Sequence, residues 1–198
     1  MRIVLATHNA HKVAELRRIL GPALDGLELV AYDGPEPVED GDTFQANALI
    51  KARAAAAHTG LPALADDSGI CVDALGGAPG IHSARYAGTR NDTDNLELLL
   101  TNMTRVDDRA AQFACAAAFV VPGDNAHEFV ELALWPGTVA RERSGTEGFG
   151  YDPIFCPDGQ PGTSADLTSA QKDALSHRAQ AFSAIMPVVR AQLLGDNQ

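Results

Sequence analysis

Two adjacent acids, Asp66 and Asp67, close an apolar run, Leu61-Pro62-Ala63-Leu64-Ala65, and are followed by Ser68 and Gly69. Neighbouring carboxylates repel and are costly to desolvate, so the pair requires a cation. The run reads as a buried strand that delivers its acids to the carboxyl end, where open α/β sheets place their ligands. A hard divalent ion such as Mg²⁺ suits such a site, because it takes oxygen ligands and is shared with substrate phosphates. The loop over residues 33–42 carries further acids, Glu36, Glu39, Asp40 and Asp42. They are either solvated, or one of them joins the Asp66-Asp67 centre.

A second group of polar residues, Thr7-His8-Asn9-Ala10-His11-Lys12, follows an apolar strand over residues 2–6. Asn9 is a good helix cap. Lys12 then falls in the first turn, where the helix dipole disfavours a cation. A strand, a tight turn and a helix start with a misplaced lysine form an anion site, with backbone N–H groups and an ammonium facing a phosphate. The same residues also read as a capped helix with a solvated lysine. The glycine-rich P-loop spacing is absent, so this is not a Walker-type site. Further on, Asn47 and Lys51 are four apart and share a helix face, which by itself reads as solvated. In Gly148-Phe149-Gly150-Tyr151-Asp152 two glycines flank an aromatic ring, so the backbone can approach a planar ligand closely. Phe149 is then either a stacking platform or a buried turn residue. His177 and Arg178 pair a directional donor with a planar cation, which suits a purine carbonyl or an ordinary helix surface.

The elements that must position these residues follow from periodicity and turn signals. Val13, Leu16 and Leu20 recur at helical spacing, with Glu15, Arg17 and Arg18 on the other side. A second strand is expected over residues 27–32. Asp42 and Gln45 resemble a capping box opening a helix to about residue 58, with Phe44, Ala48, Ala52 and Ala55 as its apolar side. Residues 70–72 resume the strand beyond the acids. Glycines and Pro79 cluster over residues 76–80, and Arg85 and Tyr86 lie in a surface loop. Asp92 or Thr93 caps a helix that buries Leu96, Leu99 and Leu100. The apolar runs 111–121 and 128–135 flank Pro122-Gly123-Asp124-Asn125 as a hairpin, and residues 138–141 suggest a further strand. Trp135 reads as a core anchor. Ile154 and Phe155 form a short strand. From Ser164 the chain is helical, and Pro187 should kink or interrupt the last helix.

The chain has 198 residues, enough for one full core or two lobes around a cleft. Its net charge of −11 disfavours a long nucleic-acid polymer. Three widely spaced cysteines, Cys71, Cys115 and Cys156, fit a reduced compartment better than a disulfide framework. The apolar part of the N-terminal segment is too short for a signal peptide, and no run is long enough to span a membrane.

Six segments in this order resemble the inosine/xanthosine triphosphate pyrophosphatase family. They are Thr7-x-Asn9-x-x-Lys12, Thr43-Phe44-x-x-Asn47-Ala48-x-x-Lys51-Ala52, Ala65-Asp66-Asp67-Ser68-Gly69, Gly76-Gly77-Ala78-Pro79-Gly80-Ile81-x-Ser83-Ala84-Arg85, Gly148-Phe149-Gly150-Tyr151-Asp152-Pro153-Ile154-Phe155 and Lys172-x-x-x-Leu175-Ser176-His177-Arg178. Each alone is a weak signal, but six in register cover essentially the whole chain. The resemblance implies one domain over residues 1–198: an α/β fold with a mixed twisted sheet, flanking helices and two lobes around a central nucleotide-binding cleft. It implies a cytoplasmic homodimer, with a small nucleotide as substrate, Mg²⁺ as cofactor and no membrane partner. The implied reaction is hydrolysis of ITP, dITP and XTP to monophosphate and pyrophosphate, clearing them from the nucleotide pool. Asp67 is implied as the catalytic acid-base residue, and Asp67 with Glu39 as the metal carboxylates. Thr7, His8, Asn9, Ala10, His11, Lys12, Lys51 and Ser68 are implied at the triphosphate. Phe149, Gly150, Tyr151, Asp152, Lys172, His177 and Arg178 are implied at the base. His8 departs from the small residue that some relatives carry.

Other classes remain to be weighed. A nucleotide-binding or sensing protein on the same scaffold would bind without forming product. A pyrophosphatase for other modified or pyrimidine nucleotides would differ only at the base end. A receiver-type phosphoryl-acceptor module would need another acceptor aspartate at a strand end, and no such pattern is evident.

Overall fold

The computed structural model describes residues 1–123 and 127–195, with the Pro22 side chain outside this set. Asp124 and Asn125 of the expected hairpin turn therefore lie outside the described residues. Strands β1 (Arg2–Leu5), β2 (Glu28–Ala31), β3 (Ala63–Val72), β4 (Ala110–Val121), β5 (His127–Val139) and β6 (Phe155–Pro157) form one sheet in the order β2-β1-β3-β4-β5-β6. β1 pairs in parallel with β2 and β3, whereas β5 and β6 pair antiparallel, so the sheet is mixed as expected. The helices are α1 (Ala10–Leu20), α2 (Phe44–Thr59), α3 (Asp92–Asn102), α4 (Ser169–Leu175) and α5 (His177–Leu194).

The chain divides into two compact units. The first comprises residues 1–67, 115–133 and 178–198. Here β1 alternates: Ile3 and Leu5 join α1 and α5 residues such as Leu16, Phe182 and Ile185, while Val4 and Ala6 face the alanines of α2. The small side chains of Ala48, Ala52 and Ala55 are fully buried, which lets the α2 backbone pack closely on the strands. The second unit comprises residues 68–114 and 134–177, around Ile70, Leu96, Leu99, Phe113, Trp135 and Phe155. Trp135 is buried there, as expected of a core anchor.

Several boundaries differ from expectation for physical reasons. The cap of α2 is Thr43, whose hydroxyl accepts from the Ala46 amide, rather than Asp42. Asn91, not Asp92 or Thr93, caps α3 by accepting from the Asp94 amide. β5 runs unbroken through Pro136 to Val139, so no separate strand begins at Thr138. β3 does not end at the acids but carries them at its middle. α5 contains Pro187 and continues to Leu194, so the proline does not end the helix. All three cysteines are free, Cys115 buried and the others half-buried. Among the described residues no helix is long and apolar enough to cross a membrane.

Candidate active site

The first unit gathers four of its charged groups around Asp66. β3 alternates, so Asp66 shares the Leu64 side of the strand and Asp67 the Ala65 side, where α2 packs. The Asp66 side chain is fully buried, and its Oδ2 accepts from Lys12 Nζ at 2.8 Å and from Arg178 Nη2 at 3.2 Å. The Cys115 thiol lies 3.9 Å from the same oxygen. Arg178 Nη1 donates in turn to Glu15 Oε2 at 2.5 Å. Burial alone would raise the pKa of Asp66, but Lys12, Arg178 and Lys51 outweigh it and hold the carboxyl far below its ordinary range. Arg178 is correspondingly held above its ordinary value, burial opposing and Asp66 and Glu15 prevailing. Burial, with Asp66 beside it, pushes the Cys115 thiol up to about 12, which makes it inert as a nucleophile at neutral pH.

A second centre lies on the α2 side. Lys51 Nζ donates to Asp67 Oδ1 at 2.9 Å and to Glu39 Oε2 at 3.3 Å, so one ammonium bridges both carboxylates. Burial opposes its charge, but Asp67, Asp66 and Glu39 raise its pKa, and Lys51 remains an ammonium. The Glu39 loop is pinned by Asn47, which is buried and accepts from the Gly41 amide at 2.9 Å. The solvated reading of the Asn47 and Lys51 face is therefore wrong: both side chains turn inward to polar partners. Among the described residues Asp67 Oδ2, which is buried, has no hydrogen-bond partner. Among the described residues no three His, Cys, Asp or Glu side chains form a metal cage. Two convergent carboxylates and an unpartnered oxygen nevertheless fit Mg²⁺, which keeps waters and takes further ligands from substrate phosphates.

At the start of α1, Asn9 caps as expected, its Oδ1 accepting from the amides of His11 and Lys12. Those two amides are thus already satisfied, so this end offers an anion the helix dipole and the Lys12 side chain rather than a full nest of free N–H groups. Thr7 Oγ1 accepts from the Asn9 amide at 3.2 Å and shapes the turn. Ala10 and His11 are exposed, and Ser68 is half-buried. His8 stands 3.5 Å from Glu36 and 5.4 Å from the Tyr32 ring, so its nearest partners are loop side chains.

The second unit holds the other expected group. Asp152 is buried and accepts from the Phe149 amide at 2.8 Å, from Lys172 Nζ at 2.5 Å and, on its other oxygen, from Ser164 Oγ at 2.7 Å. Lys172 Nζ also lies 5.1 Å from the Phe149 ring centre, a cation–π contact. Gly148 has φ +75°, and a Cβ there would collide with the Asp152 carboxylate. Gly150 donates to Asp92 Oδ2, and the Tyr151 hydroxyl donates to the Ser83 carbonyl at 2.8 Å. Burial raises the Tyr151 pKa and keeps it a neutral donor. His177 is buried and stacks on Phe113 with ring centres 4.7 Å apart. Arg178, also expected at the base, has its guanidinium between Glu15 and Asp66 of the first unit.

Glu15, expected on the solvated side of α1, is 2% exposed. Its partner Arg178 is 163 positions away, so no local pattern reports the pairing. Asn47, Asp92 and Ser164 were likewise not expected as site residues. For Asn47 the signal was available: an Asn one turn before the lysine on the same helix face.

Fold and site define a mixed α/β protein that presents lysine ammonium groups beside ionised carboxylates, chemistry suited to a phosphorylated ligand. The chain belongs to the Ham1 family, whose profile matches residues 3–188. It is 58% identical over 194 residues to the dITP/XTP pyrophosphatase of Leifsonia xyli, covering 96% of each chain. It is 52% identical over 201 residues to the dITP/XTP pyrophosphatase of Streptomyces coelicolor, covering 98% of this chain and 99% of the relative. Among solved structures, a HAM1 protein from Coxiella burnetii matches with TM-score 0.86 at 39% identity, over 96% of this chain and 98% of that one. A nucleoside-triphosphatase/dITP/XTP pyrophosphatase from Mycobacterium abscessus matches with TM-score 0.75 at 44% identity, over 96% of this chain and all of that one.

Proposed function

We propose that this chain hydrolyses ITP, dITP and XTP between the α- and β-phosphorus, giving the monophosphate and pyrophosphate with Mg²⁺ as cofactor. Such a reaction removes deaminated purine nucleotides before polymerases use them. The carrying observation is the Lys51 ammonium bridging Glu39 and Asp67 while Asp67 Oδ2 is buried and unpartnered. Family membership and the names of the relatives support the same reading.

In this reading Asp67 and Glu39 hold the metal, which when bound neutralises phosphate charge and orients the α-phosphoryl group. Asp67 accepts the proton of the attacking water at its unpartnered oxygen. Lys12 and Lys51 donate to the phosphates and stabilise charge on the departing pyrophosphate. Thr7 and Asn9 set the turn that aims Lys12. Phe149 stacks on the base, while Lys172, Asp152 and His177 set the polar pattern at its edge. A site whose donors match a purine six-carbonyl leaves a mismatched donor pair against an amino group, and an unpaired buried donor discriminates strongly. We assign the reaction to one domain over residues 1–198 and to a cytoplasmic homodimer. The exposed row Val130, Leu132 and Leu134 along β5 supports a second copy as partner.

The test is product analysis with ITP, dITP, XTP and ATP, in Mg²⁺ and in chelator. Monophosphate plus pyrophosphate from the first three, little from ATP and none in chelator supports the reading. Diphosphate plus phosphate refutes the site of attack. Binding without product favours a nucleotide sensor on the same scaffold.

A further inference from the structure

Arg178 is among the largest fully buried side chains of the protein, and its hydrogen bonds to carboxylates run to Glu15 and Asp66. Asp66 Oδ2 is the shared acceptor: Lys12 reaches it at 2.8 Å, Arg178 through Nη2 at 3.2 Å and through Nε at 3.4 Å. Lys12 is the least buried of these groups, its side chain 15% exposed against 2% for Arg178, 3% for Glu15 and none for Asp66. The cluster of two cations and two carboxylates is therefore neutral, anchored deep in the first unit, and open to solvent mainly at the lysine. A long flexible lysine loses rotamer entropy when a ligand fixes it, unless a partner has fixed it already.

We propose that Arg178 is a positioning residue for the phosphate end of the site, acting through Asp66 on Lys12, with Glu15 as its anchor. The planar fork of Arg178 spans Glu15 and Asp66 at once, which a point-charge ammonium does not do. Asp66 is thereby fixed and largely neutralised, so it orients Lys12 without drawing the ammonium away from an incoming phosphate. Without the Arg178 fork, Asp66 is no longer held and neutralised from that side. Lys12 then turns fully to Asp66, and anion binding weakens. The inference rests on the reading that Lys12 contacts the substrate's phosphates.

The test uses inorganic pyrophosphate, which has no base, titrated calorimetrically into the full-length protein in Mg²⁺. Five proteins are compared: wild type, Lys12→Ala, Arg178→Lys, Lys12→Ala with Arg178→Lys, and a variant Glu15→Leu with Arg178→Met that replaces the buried pair by apolar groups and so keeps the fold. Thermal melts establish that each is folded. Arg178→Lys and the apolar-pair variant should each bind pyrophosphate at least about tenfold more weakly, the scale of one charged hydrogen bond. In a Lys12→Ala background the Arg178→Lys effect should vanish, because the residue acts through the lysine. If Lys12→Ala binds normally, or wild type does not bind, the phosphate assignment fails and the inference falls with it. If Lys12→Ala binds weakly but the Arg178→Lys and apolar-pair variants bind like wild type, the inference alone fails and Arg178 has no role at the phosphates.

Discussion

Asp66→Asn tests whether the buried charge cluster holds the first unit together. The Asp66 side chain has no solvent exposure, and one of its oxygens accepts from two cations at 2.8 and 3.2 Å. Breaking a buried pair by removing one partner costs about 3–5 kcal/mol, because the remaining charge is left uncompensated. The lower end applies here, since Arg178 keeps Glu15 and Lys12 is exposed enough to reach water. We expect a loss of about 3 kcal/mol near pH 7, or a Tm about 6–12 °C lower for a chain of this size. The assay is urea unfolding of both proteins at a series of pH values, read at the midpoint with m unchanged. Linkage fixes the sign. Asp66 is depressed in the folded state below its ordinary value of 3.8, so its contribution is fully present above that value and is lost as pH falls below it. The gap between wild type and variant should stay level from pH 7 to about 5. It should then narrow by about 1.4 kcal/mol per pH unit below the ordinary carboxyl value. A gap under about 1 kcal/mol at pH 7, or one that does not narrow on acidification, would refute the reasoning.

Three further outcomes follow from the geometry. Asp67→Asn should abolish turnover while its melting temperature stays within a few degrees of wild type; retained turnover would remove Asp67 from the chemistry. Gly148→Ala forces a positive φ and drives a methyl group into the Asp152 carboxylate, so it should cost about 1–3 kcal/mol in stability and raise KM for ITP, both measurable on one preparation. Glu39→Gln should raise the Mg²⁺ concentration needed for half-maximal binding about tenfold by calorimetry with the metal alone, and an unchanged value would place the metal elsewhere.

The features legible in the sequence are those set by neighbours along the chain. Asn9 caps α1 because a short acceptor reaches the amides two and three residues on. The alanine face of α2 follows from helical spacing, and Gly148 and Gly150 mark a turn with positive φ on both sides of Phe149. Short-range competition blurs even some of these, as at Asp42 and Thr43, adjacent residues that are both good caps. Asp66 and Asp67 read as the end of an apolar run whose strand resumes at residues 70–72, yet β3 runs through them without a break. It continues because cations reach the acids from α1, α2 and α5.

Residue types and their order bring forward the candidate groups: paired acids, three lysines, a glycine-flanked aromatic ring and a Ser-His-Arg segment. Which charge meets which was decided by packing. Glu15 and Arg178 are surface residues by any local rule. They are buried together because folding brings the second turn of α1 and the first turn of α5 to the same side of β3, where each charge offsets part of the other's desolvation cost. Local spacing specifies helices, caps and turns, whereas the pairing of buried charges is a property of the closed fold.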